Sequence, residues 1–355
     1  MRFTSMFRGA ERSDYFLSAR AVCLVLGLLL LLRAVLIDDG RLYPQSTIAK
    51  TDKLRELEYR TNGPESPEVI ILGTSRMLGI SANQFAADLG INEDRVANFS
   101  AEAMHTWRNV ALIRRNPGLV RSAKCVIIDF LPYQLRGEEY TKDEAFLRWA
   151  TVNERLTVAD RSAQATALVN IVLPLWVRPQ SISDSLTFFR MTPLAQYELL
   201  SDEVGKYRER IWRPKEQENQ QSNILMWASL IAPESPLSRL NTQALTDLFN
   251  QLPQDCTVIF VSYPITGRPR KFVDSDPAQT AIWSDARRSI EDICANAPRR
   301  AVHVWIDSLS DIGLRKDDYL QDGFHFGETG LRHVSQWNAR LVRKHVPTLI
   351  EGNSI

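Results

Sequence analysis

Glu68-Val69-Ile70-Ile71-Leu72-Gly73-Thr74-Ser75-Arg76 is the stretch that decides the fold. Four consecutive β-branched or leucyl residues have no polar alternation, so the strand they form is covered on both faces. Gly73-Thr74-Ser75 then breaks the run and turns the chain. Four further short apolar runs follow the same rule: Val96–Phe99, Cys125–Phe130, Thr257–Ser262 and Val302–Asp307. Short buried strands separated by helical patterns predict an α/β fold with a five-stranded parallel sheet.

The helices between them are legible from caps and spacing. Ser81 caps Ala82–Leu89, and Gly90 stops it. Thr106–Ile113 supplies the second crossover. Leu245, Leu248, Phe249 and Leu252 repeat at helical spacing over Asn241–Leu252, Ala278–Ala295 supplies a fourth helix, and Thr329–His345 is the last. Leu131 to Arg239 interrupts the rhythm. That segment holds Trp149, Trp176, Trp212 and Trp227, half of the chain's eight tryptophans, and reads as a mainly helical insertion. It leaves the carboxyl end of a central strand, where open α/β sheets bind ligands, and so is expected to be a lid or substrate-binding subdomain.

The N-terminus differs in kind. Ala21 to Ile37 is apolar except for Arg33, with five leucines in a row from Leu28 to Leu32. Seventeen residues is the lower limit for crossing a hydrocarbon core. Arg2, Arg8, Arg12 and Arg20 precede it and Asp38 and Asp39 follow it. That asymmetry predicts residues 1–20 in the cytoplasm, a signal anchor over 21–37, and an exported body. No small-residue cleavage site follows the apolar run. Residues 38–67 then read as a juxtamembrane linker, charged from Lys50 to Arg60, residues 68–345 as the main domain with its insertion at 131–239, and 346–355 as a tail. The expected location is the cytoplasmic membrane of a bacterial-type cell, single-pass.

Net charge is +1, with both signs interspersed. Without a basic stripe, nucleic acid is not an expected partner. Of the four cysteines, Cys23 falls in the apolar segment and Cys125 in a strand. A Cys256–Cys294 disulfide is open to an exported protein. No CxxC or His/Cys cluster calls for a metal, and nothing in the sequence calls for a cofactor.

The chemistry lies at the two ends of the domain. Ser75 ends the first core strand on its carboxyl side, where a hydroxyl projects from a rigid element. Asp322-Gly323-Phe324-His325 lies in the loop between the fifth strand and the last helix, at the same edge of the sheet. A serine hydroxyl becomes a nucleophile when a base takes its proton, and a carboxylate orients that base. His325 alone of five histidines has a carboxylate at this short, loop-borne spacing. His303 begins a strand, His333 and His345 lie on the last helix, and His105 follows the second strand as a substrate-contact candidate.

On these residues the chain resembles the SGNH, or GDSL-like, superfamily of esterases and acyltransferases. Gly73-Thr74-Ser75-Arg76 is similar to its first block and Asp322-Gly323-Phe324-His325 to its last, Asp-x-x-His. The resemblance covers about 65–135 and 240–345 and implies a flavodoxin-like three-layer sandwich. It makes Ser75 the nucleophile, His325 the base and Asp322 the orienting acid, with Asp307 in reserve. The family's oxyanion glycine falls at Ala103, which still offers a backbone N–H. Its third-block asparagine is replaced by Asp129, a carboxylate that would repel an oxyanion, so Asn98 or an insertion residue is the expected substitute.

An anchor followed by an exported body of this kind is similar to the envelope acyl-transfer proteins of the superfamily, including the D-alanine transfer proteins of teichoic acid assembly. The function expected is a membrane-anchored serine O-acyltransferase or esterase. Its substrate would be an envelope or secreted polysaccharide, with a multi-spanning acyl donor as partner. The alternative is a catalytically weak SGNH-like scaffold or glycan-binding component.

Overall fold

A computed structural model describes residues 19–28, 31, 43–44, 46–62, 67–101, 105–135, 139–172, 184, 187–188, 190–211 and 237–351. The chain divides into two compact units, residues 46–140 with 193–355 and residues 1–45 with 141–192.

In chain order the larger unit begins with α1 (Thr47–Asn62), β1 (Val69–Leu72), α2 (Ala82–Leu89), β2 (Val96–Asn98), α3 (Thr106–Arg115) and β3 (Cys125–Asp129). The smaller unit contributes α4 (Glu144–Trp149), α5 (Val152–Thr157) and α6 (Arg161–Val172). The larger unit resumes with α7 (Pro193–Ile211), α8 (Arg239–Gln251), β4 (Thr257–Ser262), α9 (Gly267–Ser275), α10 (Pro277–Ala295), β5 (Arg300–Trp305) and α11 (Glu328–His345).

The five strands are all parallel, in the order β2-β1-β3-β4-β5. The alternation of side chains along each strand divides the apolar residues between two layers. Val69, Ile71, Cys125, Ile127, Ile259 and Val261 form one core with Phe85 and Leu89 of α2 and Val334 and Val342 of α11. On the other face Ile70, Leu72, Val126, Ile128, Val258 and Phe260 are equally buried, and the Phe260 ring meets Phe249 of α8 edge-on at 6.3 Å. Helices therefore cover both faces, which is why these strands carry no polar alternation.

Most boundaries fall within two residues of those read from sequence. β5 is the exception in kind: it runs Arg300–Trp305, so Asp307 lies beyond the strand rather than at its end. α9 is an addition, a short helix that opens the β4-to-β5 crossover. Residues 46–62, expected within a linker, instead belong to the larger unit. Ala49, Leu54 and Leu57 of α1 are buried, Asp52 pairs with Arg108 and Glu56 with Arg115 of α3, and Lys50 meets Glu203 of α7 at 2.8 Å. Those carboxylates engage the buried Arg108 and the partly buried Arg115, so the charge density of the segment reflects packing against α3 rather than a solvated spacer.

In the smaller unit, α4 to α6 surround the buried Arg155. Its guanidinium donates to the carbonyls of Ala150 (3.0 Å), Ala167 (2.6 Å) and Leu147 (2.7 Å). The insertion is helical where it is described. Trp176, Trp212 and Trp227 lie outside the described residues, and of the four tryptophans only Trp149 is placed, beside the Arg148 guanidinium.

No helix of the described residues is long and apolar enough to cross a membrane. Residues 19–28 and 31 are helical and exposed, and the rest of the expected span, 29–30 and 32–37, lies outside the described residues. The cysteines are free. The Cys256–Cys294 disulfide is not formed. Cys256 is fully buried just before β4, and burial pushes the Cys256 and Cys294 thiols up to about 12.

Candidate active site

Because all five strands run in parallel, their carboxyl ends share one edge, and three segments converge there. The first is the turn after β1. Gly73 lets it fold tightly, since a Cβ at that position would overlap the Met77 side chain and crowd the Ser100 hydroxyl. The Arg76 N–H donates to the Thr74 hydroxyl at 3.2 Å, and the Met77 N–H to the Thr74 carbonyl at 3.0 Å. The Ser75 N–H has no acceptor among the described residues.

The second segment is the loop between β5 and α11. Asp322, fully buried, accepts three hydrogen bonds. One carboxylate oxygen takes the Phe324 and His325 N–H groups, both at 2.9 Å, and the other takes His325 Nδ1 at 2.6 Å. Burial pushes its carboxyl up, but these three bonds and the imidazole's attraction outweigh that and hold it below the ordinary 3.8. An ionised Asp322 fixes the proton on Nδ1. The lone pair is then on Nε2, which stands 2.7 Å from Ser75 Oγ.

The third segment follows β4 and braces the second. The Thr266 N–H donates to the Gly323 carbonyl at 2.7 Å, and the Thr266 hydroxyl to the same oxygen at 3.2 Å. Gly323 has φ +68°, and a Cβ there would run into the Thr266 carbonyl, so only glycine fits both the conformation and the space.

The structure thus brings Ser75, His325 and Asp322 together in one hydrogen-bonded chain. The other candidates separate from it. Asn98 is not an oxyanion donor: its amide donates to the Met77 (3.0 Å) and Ile80 (2.8 Å) carbonyls and accepts the Ser100 N–H (2.9 Å), pinning the far side of the Ser75 turn. His105 is buried and stacked on Tyr140 with centroids 4.9 Å apart. Burial first, then the Arg108 guanidinium, lower its imidazole to about 3, so it is a packed neutral ring rather than a substrate contact. Asp307 is exposed and pairs with Arg287 at 3.4 Å, away from His325. Ala103 lies outside the described residues.

Asp129 is the largest departure from expectation. Its side chain is buried beneath the site. One oxygen accepts the Thr74 hydroxyl at 2.5 Å and the other lies 3.8 Å from the Arg76 guanidinium. A carboxylate engaged in this way does not project at an oxyanion. Arg76 is the functional feature that sequence reasoning missed. It is fully buried, donates to the Pro264 carbonyl at 3.2 Å, and is enclosed by the rings of Tyr263, Phe324 and Phe326 at 5.0–5.3 Å. The signal was present in sequence as an arginine in the turn after one buried strand and an aspartate ending another, each short of a partner.

Comparison with known proteins is sparse. No protein-family model and no curated protein matches the chain. Among solved structures, a chain described as "a putative platelet activating factor from Streptococcus pneumonia" aligns over 92% of this chain and 98% of its own, at 10% identity and a TM-score of 0.35.

Proposed function

We propose that this chain is an SGNH-type serine enzyme, a membrane-anchored O-acyltransferase or esterase that handles an acyl group on an envelope or secreted polysaccharide. The observation that carries the chemistry is the unbroken chain from Ser75 Oγ through the His325 ring to the Asp322 carboxylate. As Oγ attacks the acyl carbonyl carbon, its proton passes to His325 Nε2, and Asp322 holds the resulting imidazolium. The carbonyl oxygen gains the negative charge, and the Ser75 N–H is the donor left open to meet it. Collapse expels the first alcohol, which takes the proton from His325, and leaves an ester on Ser75. A second hydroxyl then gives its proton to His325 and takes the acyl group, and the leaving Ser75 Oγ recovers that proton from His325: water makes the enzyme an esterase, a sugar hydroxyl a transferase.

The anchor is part of the proposal. Val22, Leu24, Val25, Leu28 and Leu31 are all more than half exposed, an apolar surface that a bilayer would cover. With the basic residues ahead of it, that segment supports an exported body and a multi-spanning acyl donor as partner. Removing residues 1–40 is expected to shift the chain from the membrane fraction to the soluble one.

The test of the chemistry is a fluorophosphonate probe on the full chain. Labelling of the wild type, lost in Ser75→Ala and His325→Ala, is the expected result. A folded wild type that takes no label overturns the enzyme reading. The scaffold alternative would then hold, favoured by one observation: Asn98 and Asp129 are both engaged within the protein, leaving Ser75 N–H as the oxyanion donor among the described residues. Separation of esterase from transferase comes from the acetyl product of a simple aryl acetate, with and without an oligosaccharide acceptor.

A further inference from the structure

Four of the neighbours in sequence of Ser75 and His325 meet at one buried ion pair. Thr74, just before the serine, donates its hydroxyl to Asp129 at 2.5 Å. Arg76, just after it, faces the other oxygen of Asp129 at 3.8 Å. Phe324 and Phe326, on either side of His325, lay their rings against the Arg76 guanidinium, each 5.0 Å from its central carbon. Tyr263 closes the cage at 5.3 Å, and its neighbour Pro264 accepts from Arg76 Nη2 at 3.2 Å. Tyr319, in the same loop as His325, donates to that same Pro264 carbonyl at 2.8 Å.

We propose that the buried Arg76–Asp129 pair is a positioning device that sets Ser75 against His325, Asp129 fixing the nucleophile's turn through Thr74 and Arg76 fixing the base's loop through Phe324 and Phe326. The inference rests on the enzymatic reading above and gives the aspartate at the third-block place a task other than contact with substrate. Neither residue touches the reacting atoms.

Stability alone does not account for the arrangement. Asp129 ends β3, the strand next to β1, and no backbone bond crosses from it to the loop of His325. A fully buried ion pair is weak evidence for stability, since apolar residues of similar volume commonly replace it without loss. Among the described residues, Arg76 Nε and Nη1 and one oxygen of Asp129 also lack hydrogen-bond partners, so the pair is incompletely satisfied. It joins two loops separated by 250 positions at the point where their side chains must meet at hydrogen-bond distance. The attraction between arginine and aromatic faces is directional enough to hold Phe324 and Phe326, and with them the backbone of His325.

The test compares the fluorophosphonate labelling rate with the thermal midpoint in the full chain. Thr74→Val removes the hydroxyl that reaches Asp129 and keeps the shape. Thr74→Ser keeps the hydroxyl. The double variant Arg76→Met with Asp129→Leu replaces the pair by apolar side chains suited to the ring cage. Thr74→Val and the double variant are expected to label about 10- to 100-fold more slowly, the scale for a reacting group displaced by about an ångström. Their midpoints are expected to stay near the wild type, and Thr74→Ser to restore the rate. Wild-type labelling in either folded variant overturns the proposal. The two substitutions are independent, so one that fails to fold leaves the other to decide. The downfield proton resonance of His325 Nδ1, assigned with His325→Gln, gives a readout that needs no catalysis. It is expected to be sharp in the wild type and broadened in Thr74→Val, and an unchanged resonance counts against the pair. A wild type that shows the resonance but takes no label refutes the enzymatic reading and leaves the positioning claim standing.

Discussion

Ser75 Oγ and His325 Nε2 lie 2.7 Å apart, though 250 residues separate them in the chain. The distance follows from topology: parallel strands put the end of β1 and the loop after β5 on one edge of the sheet, and α11 begins at Glu328, three residues after His325. Each partner is held from its own side, Ser75 by a Thr74-closed turn and His325 by Asp322. Loss of Ser75 or His325 is therefore expected to abolish fluorophosphonate labelling. Asp322→Asn, which keeps the shape but permits the wrong tautomer, is expected to slow turnover by roughly 10⁴-fold, the scale for that change of the orienting acid in a serine triad. Thermal midpoints measured alongside separate lost chemistry from lost folding.

The Asp322 carboxyl also links the site to acid stability. Three hydrogen bonds hold it below its ordinary 3.8 in the folded chain, against burial that would raise it. A carboxyl that is more acidic when folded contributes stability above its unfolded value, and that contribution disappears as pH falls through the folded one. Wild type is thus expected to lose stability more steeply than Asp322→Asn as pH drops below about 4, the unfolded range for an aspartate. Denaturant midpoints between pH 7 and pH 2 check this: parallel curves for the two proteins would contradict it.

Gly323 carries a second, sharper demand. At φ +68° and in contact with the Thr266 carbonyl, it has no room for a side chain. Gly323→Ala is expected to cost about 1–2 kcal/mol for the left-handed backbone alone, with further loss from the displaced Thr266 bonds. Since the displaced segment is the one that presents His325, labelling should fall further than the stability change predicts. Gly313→Ala, also at positive φ (+74°) but with open space around it, is the control: it pays the backbone strain and should leave labelling intact.

The strands, the crossover helices and the three members of the hydrogen-bonded chain were legible in the sequence because each depends on local signals. Continuous apolar runs mark two-sided burial, Ser81 and Gly90 cap a helix, and Asp322 and His325 stand three positions apart in a loop. Roles fixed by tertiary contact were not legible. Asn98 and Asp129 have the chemistry of oxyanion or substrate groups, and only the fold shows that their polar atoms face the Met77 and Ile80 carbonyls, Thr74 and Arg76 instead. Charged α1 read as a spacer because Arg108 and Arg115, the partners of Asp52 and Glu56, lie 56 and 59 residues away.

His105 shows the same limit and offers the clearest pH experiment. Burial, and secondarily Arg108, lower its imidazole to about 3 from the ordinary 6.5, and it stacks on Tyr140. The ring is neutral in the folded chain throughout that interval, whereas the unfolded chain takes up a proton once pH falls below 6.5. The unfolded state then binds more protons than the folded one, so stability must fall as pH drops from 6.5 toward 3, by at most about 1.4 kcal/mol per pH unit from this group. His105→Phe keeps an aromatic ring against Tyr140 and has nothing to titrate. It is expected to flatten the dependence of unfolding free energy on pH between 6.5 and 3, whatever its effect on absolute stability at neutral pH. A substrate-contacting histidine would behave differently, because an exposed imidazole titrates near its ordinary value in both states and its removal leaves that slope unchanged.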